Sequence, residues 1–163
     1  MTVIVEGIDG SGKTTLAKHI SRDLSIPFMD RDLLGRGVPK SFEEVVERLK
    51  KYLATDGVVF DRHTAVSQPI YGIIRNDPIL PLELIRGFYS QNNIIIYARC
   101  LTAFSAHKPS PGDTEEHLKS VATNWQSLLT RYDVWAASNA HIFYRRYEDE
   151  KLIIRMVQGA FKR

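Results

Sequence analysis

The consecutive positions from Gly7 to Thr14 carry the residue types that hold a phosphate. The stretch Glu6-Gly7-Ile8-Asp9-Gly10-Ser11-Gly12-Lys13-Thr14-Thr15 fits G-x-x-x-x-G-K-[ST], the P-loop pattern. Its glycines keep side chains out of the path of an anion, so successive backbone N–H groups can converge on one point. A helix that begins near Lys13 aims the positive end of its dipole at the same place. In that frame Lys13 reaches the β- and γ-phosphates of a nucleoside triphosphate, and the Thr14 hydroxyl binds Mg²⁺. The expected cofactor-binding set is Asp9, Gly10, Ser11, Gly12, Lys13, Thr14 and Thr15.

A second stretch supplies a carboxylate. Val58-Val59-Phe60-Asp61 reads as a buried strand that ends in an acid. In open parallel sheets ligands gather at the carboxyl ends of the strands. There Asp61 would stand beside Thr14 as the second metal residue, the part such an acid plays in P-loop proteins. The plainer reading is an aspartate that caps the next turn.

These residues need a scaffold of strands and helices. Val3-Ile4-Val5 precedes the glycine turn as a short buried strand, and Leu16, Ala17, Ile20 and Leu24 follow at helical spacing. Ser25-Ile26-Pro27-Phe28-Met29-Asp30 reads as an edge strand. Positions 31–40 form a basic loop broken by Gly and Pro. Ser41 and Glu44 make a capping box for a helix with Phe42, Val45, Val46, Leu49 and Leu53 inward. Asp56-Gly57 is a turn. Between Asp61 and the next strand, Gln68-Pro69-Ile70-Tyr71-Gly72 and Asn76-Asp77-Pro78 break the chain into a short helix and turns. Pro81 opens another helix with Leu82, Ile85 and Tyr89 inward. Ile94-Ile95-Ile96-Tyr97 is a fourth strand. The irregular stretch at about 99–112 reads as a lid. Asp113 with Glu116 caps a long helix whose stripe is Leu118, Val121, Ala122, Trp125, Leu128, Leu129, Tyr132 and Trp135, read as core. His141-Ile142-Phe143-Tyr144 is a fifth strand, and a last helix turns Leu152, Ile153, Met156, Val157 and Phe161 inward. Alternation of strands and helices predicts one α/β domain over 1–163, with about five parallel strands and helices on both faces.

Bulk properties set further bounds. The 163 residues suffice for one domain with a real core. No apolar run approaches membrane-spanning length, and no charged-then-apolar leader is expected, since the first residues enter a strand. The single Cys100 excludes an internal disulfide and fits a reducing cytoplasm. A net charge of +3 is too mild to argue for nucleic acid. The five histidines show no metal-ligand spacing.

Gly7 to Thr15 followed by Asp61-Arg62-His63 resembles the thymidylate kinase branch of the nucleoside monophosphate kinases. Glu6 and Asp9 flank the loop as they do in that family, and Ser67-Gln68-Pro69-Ile70-Tyr71-Gly72 is similar to its next segment. The compact chain also resembles the short kinase-like proteins of bacterial viruses. The resemblance implies a sheet of order 2-3-1-4-5, and transfer of the ATP γ-phosphoryl group, with Mg²⁺, to a deoxynucleoside monophosphate, most simply dTMP. It implies that Arg62 holds the acceptor phosphate and Asp61 serves Mg²⁺. It places Asp9 near the sugar 3′-hydroxyl and the moving phosphate. A further phosphate arginine is implied in the basic loop, with Arg36 ahead of Arg31. Ser67, Gln68, Tyr71 and Arg75 are implied to line the base pocket. For Arg31, Arg36 and Arg75 the competing reading is a solvated surface arginine. Family members often form dimers by helix packing, so a homodimer is a further implication.

Three features depart from the family pattern. The chain is short, with the shortening around the acceptor site and lid. The spacing from Asp61 to Tyr71 is one residue longer. The P-loop carries no arginine, so the charge on the moving phosphoryl group would be met by Arg99 at the start of the lid, then His107 and Lys108, or by Arg131 from the long helix. Two other readings follow: a kinase acting on a nucleoside or on a hydroxyl in DNA, and a nucleotide-binding module without transfer. The chain lacks an Asn-Lys-x-Asp guanine motif, which disfavours a GTPase switch.

Overall fold

Five short apolar segments pair side by side to make the centre of the molecule. The computed structural model describes residues 1–29, 39, 41–100, 114–145 and 150–161. In chain order these form β1 (Thr2–Glu6), α1 (Lys13–Leu24), β2 (Phe28–Met29), α2 (Phe42–Leu53), β3 (Val59–Asp61) and α3 (Thr64–Arg75). They continue as α4 (Leu82–Ser90), β4 (Asn93–Arg99), α5 (Glu115–Asn139), β5 (Ile142–Arg145) and α6 (Glu150–Phe161). All pairings are parallel and the order is β2-β3-β1-β4-β5, as expected. Val5 lies opposite Asp61 on one side and Ile96 on the other, so β1 and β3 end at the same level.

Residue alternation along the strands divides the core in two. Val3, Val5, Val59, Ile94, Ile96 and Ala98 face α1 and α6, packing on Leu16, Ala17, Ile20, Ile153 and Val157. Ile4, Phe60, Ile95 and Tyr97 face the other way, onto α2, α3, α4 and α5. Strands covered on both faces read as continuous apolar runs, and Val3-Ile4-Val5 and Ile94-Ile95-Ile96 do so. Among the described residues, no helix is long and apolar enough to cross a membrane.

Several boundaries differ from the sequence reading. One helix runs from Thr64 to Arg75 straight through Pro69, where a short helix and turns were expected. Proline removes one interior hydrogen bond. The His63 cap, the left-handed Asn76 end and the buried Ala65, Val66, Ile70 and Tyr71 hold the helix regardless. The cap of α5 is Thr114, whose hydroxyl accepts from the His117 N–H at 3.1 Å; the expected cap, Asp113, lies outside the described residues, as does 101–112 of the expected lid. Ala122 is exposed. On α6 only Ile153 and Val157 are buried, while Leu152, Met156 and Phe161 face solvent. The Ser41 cap of α2 is as expected, accepting from the Glu44 N–H at 3.3 Å.

The largest reversal is on α4. Leu82 and Tyr89, expected inward, are exposed, and Phe88 is buried instead at 1% exposure. The helix faces α2 and α3, and the ring of Phe88 lies 4.6 Å from that of His63, so the inward stripe is one position off the expected one. Replacement of Phe88 by Ala should therefore cost about 3–5 kcal/mol of unfolding free energy. Leu82→Ala should change it by less than about 0.5 kcal/mol. Denaturant midpoints at unchanged slope measure both, and equal losses would contradict this facing.

Candidate active site

The P-loop leaves the end of β1 and turns directly into α1. Gly7 allows the close approach to β4: a Cβ there would lie 2.2 Å from the Ala98 carbonyl oxygen. Gly12 caps α1 with φ of 85°, in the left-handed region that only glycine enters freely. The helix N-terminus carries no side-chain cap, so its first N–H groups face the loop. Lys13 is 9% exposed and Ser11 is fully buried.

Asp61 arrives at the end of β3, on the α1 side of the sheet. The Thr14 hydroxyl donates to Asp61 Oδ2 at 2.6 Å, which brings together the two expected metal residues. Asp61 Oδ1 is buried with no partner among protein groups. An unsatisfied buried carboxylate oxygen beside a threonine hydroxyl suits a hard divalent cation. Among the described residues no group of three or more His, Cys, Asp or Glu gathers. That fits Mg²⁺, which usually takes one or two protein ligands and completes its shell with phosphate and water.

Asp9 and Arg62 join the P-loop to the turn after β3. Arg62 Nη2 donates to Asp9 Oδ1 at 2.7 Å and to the Gly7 carbonyl at 3.3 Å. The Tyr71 hydroxyl donates to Asp9 Oδ2 at 3.0 Å, and its ring lies 5.0 Å from the Arg62 guanidinium. Lys13 Nζ is 3.7 Å from Asp9 Oδ1. Burial works to raise the Asp9 carboxyl, but Arg62, Lys13 and the hydrogen bonds from Arg62 and Tyr71 outweigh it and hold it well below the usual range. Burial and the Arg62 charge lower the Lys13 ammonium. Arg62 Nε is buried without a partner among protein groups.

Behind this cluster lies a residue to which sequence reasoning gave no chemical role. Glu6 is fully buried and accepts from the His63 N–H at 2.5 Å and the Tyr132 hydroxyl at 3.2 Å. Burial lifts its carboxyl from 4.5 to about 7, against the pull of Arg62. His63 caps α3 through Nδ1, which accepts from the Ala65 N–H at 3.2 Å. Burial pushes its imidazole down to about 3, so it is neutral. Only the sequence position of Glu6 beside the loop could have pointed to it; Tyr132, read as core, is indeed in the core and carries a hydroxyl that the stripe did not reveal.

Other expected residues lie elsewhere. Arg99 Nε and Nη2 donate to Asp133 on α5 at 2.8 and 2.9 Å, so it is engaged away from Asp9 and Arg62. The Ser67 hydroxyl bonds back to the His63 carbonyl. Gln68 and Arg75 bond to each other at 2.9 Å and both donate to Asp77. Arg131 has its Nε buried without a partner and joins none of the contacts around Asp9. Arg31, Arg36, His107 and Lys108 lie outside the described residues.

This geometry has counterparts of known structure. The YorR protein of Bacillus subtilis, solved with phosphorylated GDP, superposes with a TM-score of 0.69 at 18% identity, over 99% of this chain and 96% of that one. Deoxyadenosine kinase of M. mycoides, solved with dCMP and dCDP, gives 0.59 at 17% identity, over 99% and 98% of the chains. Shikimate kinase of Acinetobacter baumannii, solved with shikimate, gives 0.59 at 17% identity, over 99% and 92%. The fold is that of the P-loop kinases. The P-loop kinase fold is what these similarities carry; the acceptors differ among them. A cytidylate kinase of Sulfolobus acidocaldarius is 30% identical over 96 residues, which are 59% of this chain and 43% of that protein. The match thus covers less than half of that relative's length. No protein-family model matches the chain.

The buried Glu6 makes a pH-dependent contribution whose sign follows from its raised carboxyl. The folded state holds a proton there that the unfolded chain has released. Stability from this group is fully present below about pH 4.5 and is lost as pH rises through about 7. A rise from 4.5 to about 7 corresponds to on the order of 3 kcal/mol. Glu6→Gln removes the titration, so the variant should gain on the native protein by that order between about pH 5 and about pH 8. Parallel stability curves for the two proteins would contradict it.

Proposed function

We propose that this chain transfers the γ-phosphoryl group of ATP, with Mg²⁺, to a deoxynucleoside monophosphate, with dTMP the first acceptor to test. The observation that carries the proposal is Arg62, whose Nη2 is held against the P-loop by Asp9 and the Gly7 carbonyl and whose buried Nε has no protein partner. A cationic donor held there by Asp9 and the Gly7 carbonyl calls for an anion other than the donor phosphates. In this reading the P-loop N–H groups and Lys13 hold the β- and γ-phosphates. Thr14 and Asp61 hold Mg²⁺, which when bound supplies positive charge to the phosphate oxygens. Arg62 places the acceptor phosphate in line with the γ-phosphorus. An acceptor oxygen bonds to that phosphorus, the bond to the β-γ bridging oxygen breaks, and the electron pair leaves with ADP. Catalysis is then mostly placement and preset charge.

The state of Asp9 weighs against a hydroxyl acceptor. A carboxylate held ionised this firmly is a poor proton acceptor, and both its oxygens are taken by Arg62 and Tyr71. A monophosphate already carries an anionic oxygen and needs no base. Asp9 accordingly sets Arg62 against Lys13 and stands near the acceptor sugar. Tyr71 is the member of the expected base-pocket set that adjoins this cluster. Ser67, Gln68 and Arg75 line the approach in this reading, with Arg36 as a further phosphate group. A soluble cytoplasmic enzyme, possible as a homodimer, completes the reading.

Coupled ADP release against a panel of deoxynucleoside monophosphates, CMP, thymidine and short DNA tests the acceptor. Release raised by one monophosphate and by neither thymidine nor DNA is expected; release with thymidine or DNA alone moves the acceptor to a hydroxyl. Lys13→Ala should lower turnover about a hundredfold or more in folded protein. Arg62→Ala should raise the acceptor KM by about tenfold or more and leave the ATP KM within about twofold. Equal losses for both substrates would assign Arg62 to the donor.

A further inference from the structure

The backbone of Arg62 is left-handed, with φ of 73°. A non-glycine residue pays for that conformation, and it persists only where its surroundings over-determine it. The two peptide N–H groups that bracket the Arg62 φ and ψ are both held by β1. The Arg62 N–H donates to the Val5 carbonyl at 3.0 Å, as one more rung of the parallel sheet. The His63 N–H has no such rung and donates to the Glu6 side chain instead. One backbone oxygen and one carboxylate oxygen, from neighbouring residues of β1, therefore fix the torsions that aim Arg62.

Glu6 is itself held. Its second oxygen accepts from Tyr132 on α5, a residue with no exposed surface. The Tyr132 ring lies parallel to Tyr97 at 6.1 Å and edge-on to Tyr71 at 6.2 Å. The carboxylate thus ties three elements: β1, the turn into α3, and α5. A fully buried carboxyl is costly unless each oxygen is used, and here each is. Among the described contacts Glu6 makes no hydrogen bond to the expected donor or metal residues, although its charge acts on both Arg62 and Lys13; its hydrogen bond toward Arg62 runs through the backbone of the turn.

We infer that Glu6 is a positioning residue for Arg62, acting through the His63 N–H, and that the Tyr132 hydroxyl sets the Glu6 side chain for that task. The inference rests on the proposed kinase reading for its kinetic readout, and on the structure alone for its spectroscopic one. Glu6 controls where the acceptor-side arginine points, and its hydrogen bonds reach none of the expected donor residues among the described contacts. The hydrogen bonds matter rather than the negative charge, because a glutamine oxygen accepts from the His63 N–H equally well.

Steady-state kinetics with ATP and the best monophosphate acceptor, on folded full-length variants, separates these claims. Glu6→Ala should raise the acceptor KM about tenfold with the ATP KM within about twofold. Glu6→Gln should restore the acceptor KM to within about threefold of native. Tyr132→Phe keeps the ring packing and removes only the hydroxyl; it should raise the acceptor KM several-fold, and it serves if Glu6→Ala does not fold. Equal losses for ATP and acceptor, or a Glu6→Gln variant as impaired as Glu6→Ala, would overturn the inference. The NMR resonance of the Arg62 Nε–H, assigned through Arg62→Lys, gives a readout without turnover. It should move in Glu6→Ala and Tyr132→Phe and stay in place in Glu6→Gln; an unmoved resonance in the first two would overturn the inference. If no monophosphate stimulates the native protein, the kinase reading fails while this resonance still decides the role of Glu6.

Discussion

The bond between Asp9 and Arg62 is the constraint on which the site depends. Asp9 belongs to the P-loop and Arg62 to the turn after β3, so the pair closes one end of the sheet across β1. It lies between 17% and 19% exposed, where removing two charges from water costs more than an exposed pair returns. Around it the Gly7 carbonyl and the Tyr71 hydroxyl add hydrogen bonds and Lys13 adds charge, while the buried Arg62 Nε has no protein partner.

Strand alternation spreads the work to two sides of the sheet. Successive residues of a strand point to opposite faces, so Asp61 turns to α1 and Thr14 while His63, beyond the turn, enters the core among Tyr52, Phe60 and Phe88. On β1 the same rule sends Val5 to the α1 side and Glu6 to the α5 side. The proposed metal residues and the proposed acceptor arginine are thereby kept on adjoining but distinct sides of one loop. Three buried atoms without protein partners, Ser11 Oγ, Asp61 Oδ1 and Arg62 Nε, lie on the loop and at the end of β3. In the proposed reading they are the groups that phosphate oxygens and a cation would satisfy.

What the sequence revealed follows from the range of each interaction. The P-loop is contiguous, and its strand and helix are its immediate neighbours, so the motif, the five strands and their parallel direction were legible, while the strand order came from the family resemblance. The Thr14–Asp61 contact spans 47 positions, yet it was legible because both ends belong to recognisable motifs. Glu6 and Tyr132 lie 126 positions apart, and nothing local in either marks the partner. Helix faces were read well where one side is sharply apolar, as in α1. They were misread on α4, where Leu82 and Phe88 both fit a stripe and only the position of α2 and α3 chooses between them. Arg99 was read from its place before the lid, and its bond to Asp133 depends on α5 folding back along β4.

The two arginine–carboxylate pairs at the ends of β3 and β4 make an instructive contrast. Arg99 and Asp133 are each about a third exposed, with the Tyr97 hydroxyl donating to Asp133 at 2.7 Å. A pair so open to water contributes about 0–1 kcal/mol and fastens α5 to the end of β4. Asp9 and Arg62 are half as exposed, and Arg62 bears a strained backbone as well. Stability alone does not favour that arrangement, since an apolar pair of similar size would do as well or better at lower cost. What it holds ready is an arginine whose torsions are fixed from β1, whose charge is balanced by one carboxylate, and whose buried Nε has no protein partner.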